Sequence, residues 1–174
     1  PSHPSLPRLI GHRGAARLAP ENTLAGFRRA HAEGARWVEF DLRLSADEVP
    51  IVLHDATLDR TTNGKGPVAA WRWSALRELD AGVEFDARYR GEGLPSLEQA
   101  LACCQELGLG ANLEFKAEEG GADALVAASA AVLKRMPIPV ILSAFEAEAL
   151  EAAARRLPSL ARGLLFGEPP ADAA

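Results

Sequence analysis

Apolar and polar residues follow a period of two in some segments of the chain and a helical period in others. The clearest period of two runs over residues 37–44, and it predicts a strand with two different faces. The apolar face consists of Val38, Phe40, Leu42 and Leu44, and the charged face of Glu39, Asp41 and Arg43. Further strands are predicted at residues 8–10, 51–54, 111–115, 140–143 and 162–166.

Helical periodicity separates most of these strands. Helices are predicted at residues 24–33, 96–107, 123–135 and 146–157, with Asn22 or Thr23 capping the first and Ser96 the second. Strands that alternate with helices are typical of right-handed parallel crossovers, so the predicted fold class is α/β. Residues 55–96 are less regular, and we expect a small insertion after the third strand, with a short helix at 74–79.

Ionisable residues end four successive predicted strands. They are His12 on the first, Glu39 and Asp41 on the second, His54 on the third, and Glu114 with Lys116 on the fourth. In parallel α/β folds ligands bind at the C-terminal ends of the strands. The pattern therefore predicts a functional site at this edge of the sheet.

The alternation within two of these strands indicates which side chains share the site. If Val38, Phe40 and Leu42 face the helices, Glu39 and Asp41 face inward together, and the same argument turns Glu114 inward. Carboxylates that converge in one pocket repel each other, and a hard cation such as Mg²⁺ or Ca²⁺ relieves the repulsion. Zinc is less favoured, because the candidate ligands include no sulfur and the histidines lie at separate strand ends.

Each of these residues, taken singly, has an ordinary structural explanation. Glu39 and Asp41 are compatible with an exposed strand face, His12 with a loop contact, the His54–Asp55 pair with a turn, and Lys116 with a solvated side chain. Only their joint position at the strand ends favours a site. Outside this pattern, Cys103 and Cys104 are interpreted as helix-face or core residues, and Trp71 and Trp73 as anchors of the irregular segment.

Composition narrows the class of protein. The chain has 174 residues, of which 48% are hydrophobic and 25% charged, values typical of a globular domain. Its net charge of −5 argues against nucleic-acid binding. We expect no membrane anchor and no signal peptide, because no apolar run approaches the required length. Two adjacent cysteines are poorly placed to bond each other, which favours a reducing, cytoplasmic location.

Six short motifs, in order, resemble the glycerophosphodiester phosphodiesterase family of the phosphatidylinositol-phospholipase-like TIM barrels. They are GHRG at 11–14, PENT at 20–23, EFD at 39–41, HD at 54–55 followed by LDRTT at 58–62, LPSLE at 94–98 and NLEFK at 112–116. The resemblance is close over residues 9–116 and continues beyond them only as barrel periodicity.

The resemblance implies a TIM-type (β/α)8 barrel that hydrolyses glycerophosphodiesters to glycerol 3-phosphate and an alcohol. By the family pattern, Glu39, Asp41 and Glu114 bind a divalent cation, Mg²⁺ or Ca²⁺, and His12 and His54 are the general acid and base. Arg13 and Lys116 hold the phosphate, and Glu21 lies in a turn near the substrate. Attack by the glycerol 2-hydroxyl and direct attack by water both remain open.

Two other functions keep the same pocket. A phospholipase D-like or lysophospholipase-type member of the superfamily takes a lipid, and a non-catalytic binding domain retains the site without turnover. In the first case we expect an apolar rim around residues 55–96.

Length is the point at which the chain departs from the family. About six β/α units are counted in residues 1–174, whereas a complete eight-stranded barrel usually needs ~250 residues. An aromatic residue that the family often supplies from its last strand has no counterpart here. We therefore expect that the C-terminal strands are missing, and that a longer natural chain or a partner completes the catalytic domain.

Overall fold

A computed structural model describes residues 7–167 as one sheet with helices packed against it. The elements are β1 (Gly11–His12), α1 (Leu24–Ala32), β2 (Trp37–Leu44), β3 (Pro50–Val52), α2 (Trp73–Leu76), α3 (Leu97–Leu107), β4 (Gly110–Phe115), α4 (Ala122–Leu133), β5 (Val140–Ala144), α5 (Ala147–Arg156) and β6 (Ala161–Leu164). Short 3-10 turns occupy Val68–Ala70 and Ala87–Tyr89. The long segments were predicted to within a few residues at each end, whereas the first strand was predicted too early, at residues 8–10, and is the two-residue strand Gly11–His12.

Five strands form a parallel sheet in the order β1-β2-β4-β5-β6. The predicted α/β class is confirmed, and the arrangement is that of a partial TIM-type barrel. The register places Asp41 beside Glu114 and His12 beside Glu39. The C-terminal ends of β1, β2 and β4 therefore lie next to one another.

The third predicted strand is an exception to the parallel arrangement, because β3 pairs with β2 in the antiparallel sense. Only residues 45–49 separate the two strands, and a parallel crossover needs a dozen residues or more. The reversal returns the chain along β2, and the N–H of Leu53 donates to the carbonyl of Asp41 at 3.1 Å. Leu53 therefore lies opposite Asp41, and the hairpin, not a parallel strand end, has brought His54 to this edge of the sheet.

The main core lies between the sheet and the helices. Val38, Phe40 and Leu42 are fully buried in it, which confirms that this face of β2 points toward the helices. The rings of Phe27 on α1 and Phe40 on β2 have centroids 5.0 Å apart. The opposite face of β2 is thereby left to its charged residues.

The segment between β3 and α3 packs around a second, smaller apolar cluster. Its buried members are Ile51, Leu53, Leu58, Val68, Leu76, Ala81 and Leu94. Trp71 and Trp73 pack against this cluster, as expected for anchoring residues. Cys103 and Cys104 are free and buried, in agreement with their assignment to the helix or core.

Both ends of the sheet are open in the part of the chain that the structure describes, since no pairing joins β1 to β6 there. Large apolar side chains are exposed close to these ends, among them Leu9 at 59%, Leu164 at 43% and Phe166 at 56%. None of the helices in residues 7–167 has the length and apolar character needed to cross a membrane. The expectation that no strand follows residue 167 concerns residues outside the described range.

Candidate active site

Two neighbouring strands bring three carboxylates together at the C-terminal edge of the sheet. Glu39 and Asp41 come from β2 and Glu114 from β4, and one oxygen of each lies within 4.8 Å of the others. All three residues are buried. The inward convergence predicted from the alternation is therefore confirmed.

Glu39 is a carboxylate whose charged form is disfavoured by its burial. Burial, with the charge of Asp41 nearby, raises the pKa of Glu39 to about 7. One oxygen accepts the backbone N–H of Arg13 at 2.9 Å, while the other, Oε1, is buried and has no hydrogen-bond partner among the described residues. A buried, unpartnered oxygen among three carboxylates suits a hard cation with oxygen ligands, so the residues present fit Mg²⁺ or Ca²⁺.

The loop after β1 is shaped by the GHRG motif. Arg13 adopts a left-handed conformation with φ of 50°, which aims its N–H at Glu39. A Cβ on Gly11 would lie 2.2 Å from the carbonyl oxygen of Gly14, so this position requires glycine. The motif thus sets backbone geometry as well as supplying side chains.

Asn22 holds Asp41 from the other side. Its amide Nδ2 donates to Asp41 Oδ2 at 2.9 Å, and its side-chain carbonyl accepts the N–H of Asp41 at 3.3 Å. The helix cap is instead Thr23, whose hydroxyl accepts the N–H of Gly26 at 3.1 Å. Of the two residues predicted as the cap of α1, Thr23 is confirmed, whereas the side chain of Asn22 bonds Asp41 and does not cap the helix.

Lys116 lies directly against the carboxylates. Its ammonium forms an ion pair with Glu114, approaches Asp41 Oδ1 to 3.7 Å, and lies 5.3 Å from the centre of the Phe145 ring. Phe145 follows β5 and is 47% exposed. Lys116 is therefore the nearest counter-charge of Glu114 and a second one, after Arg13, for Asp41.

The two histidines differ in exposure. The side chain of His12 is 72% exposed, and its Nε2 lies 3.8 Å from Glu39 Oε2. The side chain of His54 is 31% exposed, and its Nδ1 lies 2.7 Å from Asp55 Oδ1. The Arg60 guanidinium holds the pKa of Asp55 well below its usual range, so Asp55 is a carboxylate and only accepts. The proton of neutral His54 is therefore on Nδ1, which leaves Nε2 free.

Arg60 connects both sides of the site. It donates to Asp55 and, at 2.8 and 2.9 Å, to both oxygens of Glu21. Glu21 also accepts from Arg13 at 2.9 Å. Burial alone would raise the pKa of Glu21, but hydrogen bonds from Arg60 and Arg13 hold it below its usual range. Glu21 lies near the site, as the resemblance implies, and its contacts are to arginines.

All the residues singled out from the sequence thus lie around one edge of the sheet. Arg13 reaches the same group, with its Nε 3.4 Å from Asp41 Oδ2. The sequence reasoning did not select four residues that contact them, namely Asn22, Asp55, Arg60 and Phe145. The first three lie within the recognised motifs, which was the available signal, whereas no pattern marked Phe145.

Comparison with known proteins gives a consistent family. Residues 12–174 match the model of the glycerophosphoryl diester phosphodiesterase family. A glycerophosphodiester phosphodiesterase of Caldanaerobacter subterraneus subsp. tengcongensis is 39% identical over 108 residues, which are 62% of this chain and 44% of that protein. The chain therefore spans less than half the length of this relative.

Solved structures resemble most of this chain. An Oleispira antarctica phosphodiesterase, solved in complex with the product sn-glycerol-3-phosphate, superposes with a TM-score of 0.93 at 38% identity, covering 97% of this chain and 69% of that one. A glycerophosphodiester phosphodiesterase from Agrobacterium tumefaciens gives a TM-score of 0.80 at 37% identity, covering 88% and 64%.

Proposed function

The chain belongs to the glycerophosphoryl diester phosphodiesterase family, and on that basis we propose that it hydrolyses glycerophosphodiesters to glycerol 3-phosphate and an alcohol with a divalent cation. The observation that carries the proposal is the convergence of Glu39, Asp41 and Glu114 at the sheet edge. His12 lies 3.8 Å from Glu39, and the carbonyl of His54 accepts from Arg43 of β2 at 2.8 Å. Burying three carboxylates without compensating charge destabilises the folded state. In a phosphodiesterase the same carboxylates would bind the cation, and the histidines would transfer protons.

Glu39, Asp41 and Glu114 would hold the metal, which we propose is Mg²⁺ or Ca²⁺. When bound, the ion supplies positive charge next to the phosphate oxygens. Asn22 fixes one of these ligands, because its amide engages both the side chain and the backbone of Asp41.

Arg13 and Lys116 add positive charge around the site. A phosphodiester is an anion that resists attack by another electron-rich oxygen, so cations that neutralise it stabilise the transition state. The side chains of Arg13 and Lys116 are 18% and 17% exposed, and both lie close to Asp41. These positions support the proposal that both side chains contact a phosphate bound over the carboxylates.

The two histidines supply the proton transfers. One takes the proton of the attacking hydroxyl, whether from water or from the glycerol 2-hydroxyl, and the other protonates the departing alcohol oxygen. The hydrogen bond from Nδ1 to Asp55 fixes the His54 ring, so that Nε2 exchanges the proton. His12, on β1, is the partner at the more open side of the site.

The proposed substrate class rests on family membership and on the Oleispira antarctica structure, which holds sn-glycerol-3-phosphate as product. The 38% identity with that protein extends over 97% of this chain. Among the described residues of the segment 55–96, Phe85 is the large apolar side chain that is exposed, at 41%, and one such side chain does not form the apolar rim expected for a lipid substrate.

We also propose that the two open ends of the sheet are covered in the active protein, by further chain or by a second copy. Unpaired strand edges next to exposed apolar side chains such as Leu164 and Phe166 favour association.

Replacing each histidine in turn tests the function. His12→Ala and His54→Ala are each expected to lower the turnover of glycerophosphocholine by roughly 10²-fold or more, as for an essential acid or base. His31→Ala is the matched control, because His31 lies on α1 outside the candidate site. Hydrolysis at near wild-type rates by both site variants would contradict the assignment.

A further inference from the structure

Arg60 lies at the centre of a bridge between two parts of the site. Its guanidinium donates to both oxygens of Asp55, at 2.7 and 3.0 Å, and to both oxygens of Glu21, at 2.8 and 2.9 Å. Glu21 belongs to the loop between β1 and α1, whereas Asp55 and Arg60 follow β3. One side chain therefore joins two loops that are distant in sequence.

Each carboxylate of this bridge contacts a group of the proposed reaction. Asp55 Oδ1 lies 2.7 Å from His54 Nδ1, and Glu21 Oε1 accepts from Arg13 at 2.9 Å. The same oxygens, Asp55 Oδ1 and Glu21 Oε1, also accept from Arg60 Nη2. The contacts thus run without interruption from His54 to Arg13.

We propose that Arg60 is a positioning residue, which sets the proton-transferring His54 and the phosphate-binding Arg13 relative to each other. The role rests on the proposed function, because those two residues have to face one substrate. Arg60 acts only through Asp55 and Glu21, and makes no contact with the three candidate metal ligands.

The charges explain why one arginine is needed at this place. Without Arg60, the carboxylates of Asp55 and Glu21 face the same space with no cation between them. Their repulsion then separates the two loops and loosens the orientation of His54 and of Arg13. Misplacement of a reacting group by about 1 Å is enough to lower a rate on the order of 10²-fold.

Stability alone does not account for this arrangement. The Arg60 side chain is 48% exposed, and ion pairs of exposed residues contribute little to folding. The geometry of the contacts with Asp55 and Glu21, in contrast, depends on the planar guanidinium of Arg60, which forms paired hydrogen bonds to both carboxylates at once. Lysine carries the same charge and cannot reproduce these bonds.

Kinetics of glycerophosphocholine hydrolysis test the proposal with three variants. We expect Arg60→Ala to lower kcat roughly 10- to 100-fold with a smaller change in KM. Arg60→Lys is expected to recover only a minor part of kcat, because lysine keeps the charge and cannot form the paired hydrogen bonds to both carboxylates. Arg88→Ala removes another arginine–aspartate pair of the same segment, with Asp86 at 3.0 Å, and is expected to leave kcat unchanged.

A second readout does not require turnover. Nitrogen-15 NMR of the histidine rings, at about pH 8 where histidine is neutral, reports which nitrogen carries the proton. The wild-type protein is expected to show His54 protonated on Nδ1 alone, because Arg60 holds Asp55 against that nitrogen. In Arg60→Ala the Asp55 side chain is no longer held there, and a mixture of both protonated forms of the ring is expected.

The two readouts separate failure of the proposal from failure of the function. If the wild-type protein is inactive, the phosphodiesterase assignment is contradicted. If Arg60→Ala nevertheless changes His54 from one tautomer to a mixture, the positioning role at His54 is supported. Arg60→Lys with wild-type kcat, or a single His54 tautomer in Arg60→Ala, overturns the positioning role.

Discussion

At the scale of single residues, the site concentrates negative charge that the fold alone compensates only in part. Glu39 is 8% exposed and has a pKa raised to about 7, whereas the pKa values of Asp55 and Glu21 are held below their usual ranges. Burial is the main cause of the raised pKa of Glu39, and the N–H of Arg13 and the nearby His12 do not offset it. Arginine side chains, in contrast, donate to both Asp55 and Glu21.

The first prediction concerns the stability of the metal-free protein. A carboxyl whose pKa rises on folding contributes stability below its unfolded value of 4.5, and this is lost as pH rises through about 7. The free energy of unfolding is therefore expected to fall by about 3 kcal/mol from this group between about pH 5 and pH 8. Glu39→Gln should remove that slope in urea titrations with chelator present.

The contributions of Asp55 and Glu21 fall outside this window. Their pKa values are lowered on folding, so the stability they provide is lost only as pH falls below their ordinary values of 3.8 and 4.5. If the free energy of unfolding has the same pH dependence in the wild-type protein and in Glu39→Gln, the raised pKa of Glu39 is contradicted.

A second prediction concerns Lys116. Because its ammonium pairs with Glu114 and approaches Asp41, it competes with a cation for the same oxygens. Lys116→Met is expected to tighten Mg²⁺ or Ca²⁺ binding about tenfold, and to slow turnover if Lys116 also contacts the phosphate. Titration calorimetry measures the affinity, with Lys134→Met as the control, and an unchanged affinity in Lys116→Met would contradict the competition.

The carboxylate triad could be predicted from the sequence because alternation along β2 and β4 determines which side chains face inward. Arg60 could not be assigned in the same way. Its place depends on contacts with Glu21 and Asp55, and periodicity carries no information about contacts between loops.

At the scale of the elements, the length and position of most helices and strands follow from periodicity and caps. The direction of β3 did not, because a short apolar run predicts a strand and leaves its orientation open. The connection at residues 45–49 was the available signal, since its length allows only a reversal. That reversal matters for function, because it places Leu53 opposite Asp41 and so brings His54, the next residue, to the site edge of the sheet.

A third prediction belongs to the start of α3, where the segment after β3 rejoins the sheet and its helices. Ser96 and Gln99 form a capping box, each side chain accepting the backbone N–H of the other. Ser96→Ala is expected to lower the free energy of unfolding by about 1 kcal/mol without changing metal affinity. Urea titration measures the loss, Ser159→Ala in an exposed turn is the control, and equal stabilities of the two variants would contradict the cap.

At the scale of the whole molecule, the proposed site residues lie together, whereas the sheet has unpaired edges in the described part of the chain. The residues proposed for the chemistry all lie in residues 7–167, while the five parallel strands there leave two edges unpaired. The sequence anticipated this difference from the count of strands against the length of the chain. The chain spans 44% of the length of the Caldanaerobacter relative.

A fourth prediction follows for the 174-residue chain in solution. With Leu9, Leu164 and Phe166 exposed near the open edges, we expect association that increases with concentration, or activity that requires further chain. Sedimentation velocity over a range of concentrations, run beside a metal-supplemented activity assay, measures both. A stable and active monomer of 18.5 kDa would contradict this expectation.

The most direct test of the proposed function follows glycerophosphocholine by phosphorus-31 NMR in the presence of the protein. The proposal predicts a resonance of glycerol 3-phosphate that grows with Mg²⁺ or Ca²⁺, stops on addition of chelator, and resumes when the cation is restored. Release of phosphocholine in its place, or hydrolysis that continues unchanged in chelator, would contradict it.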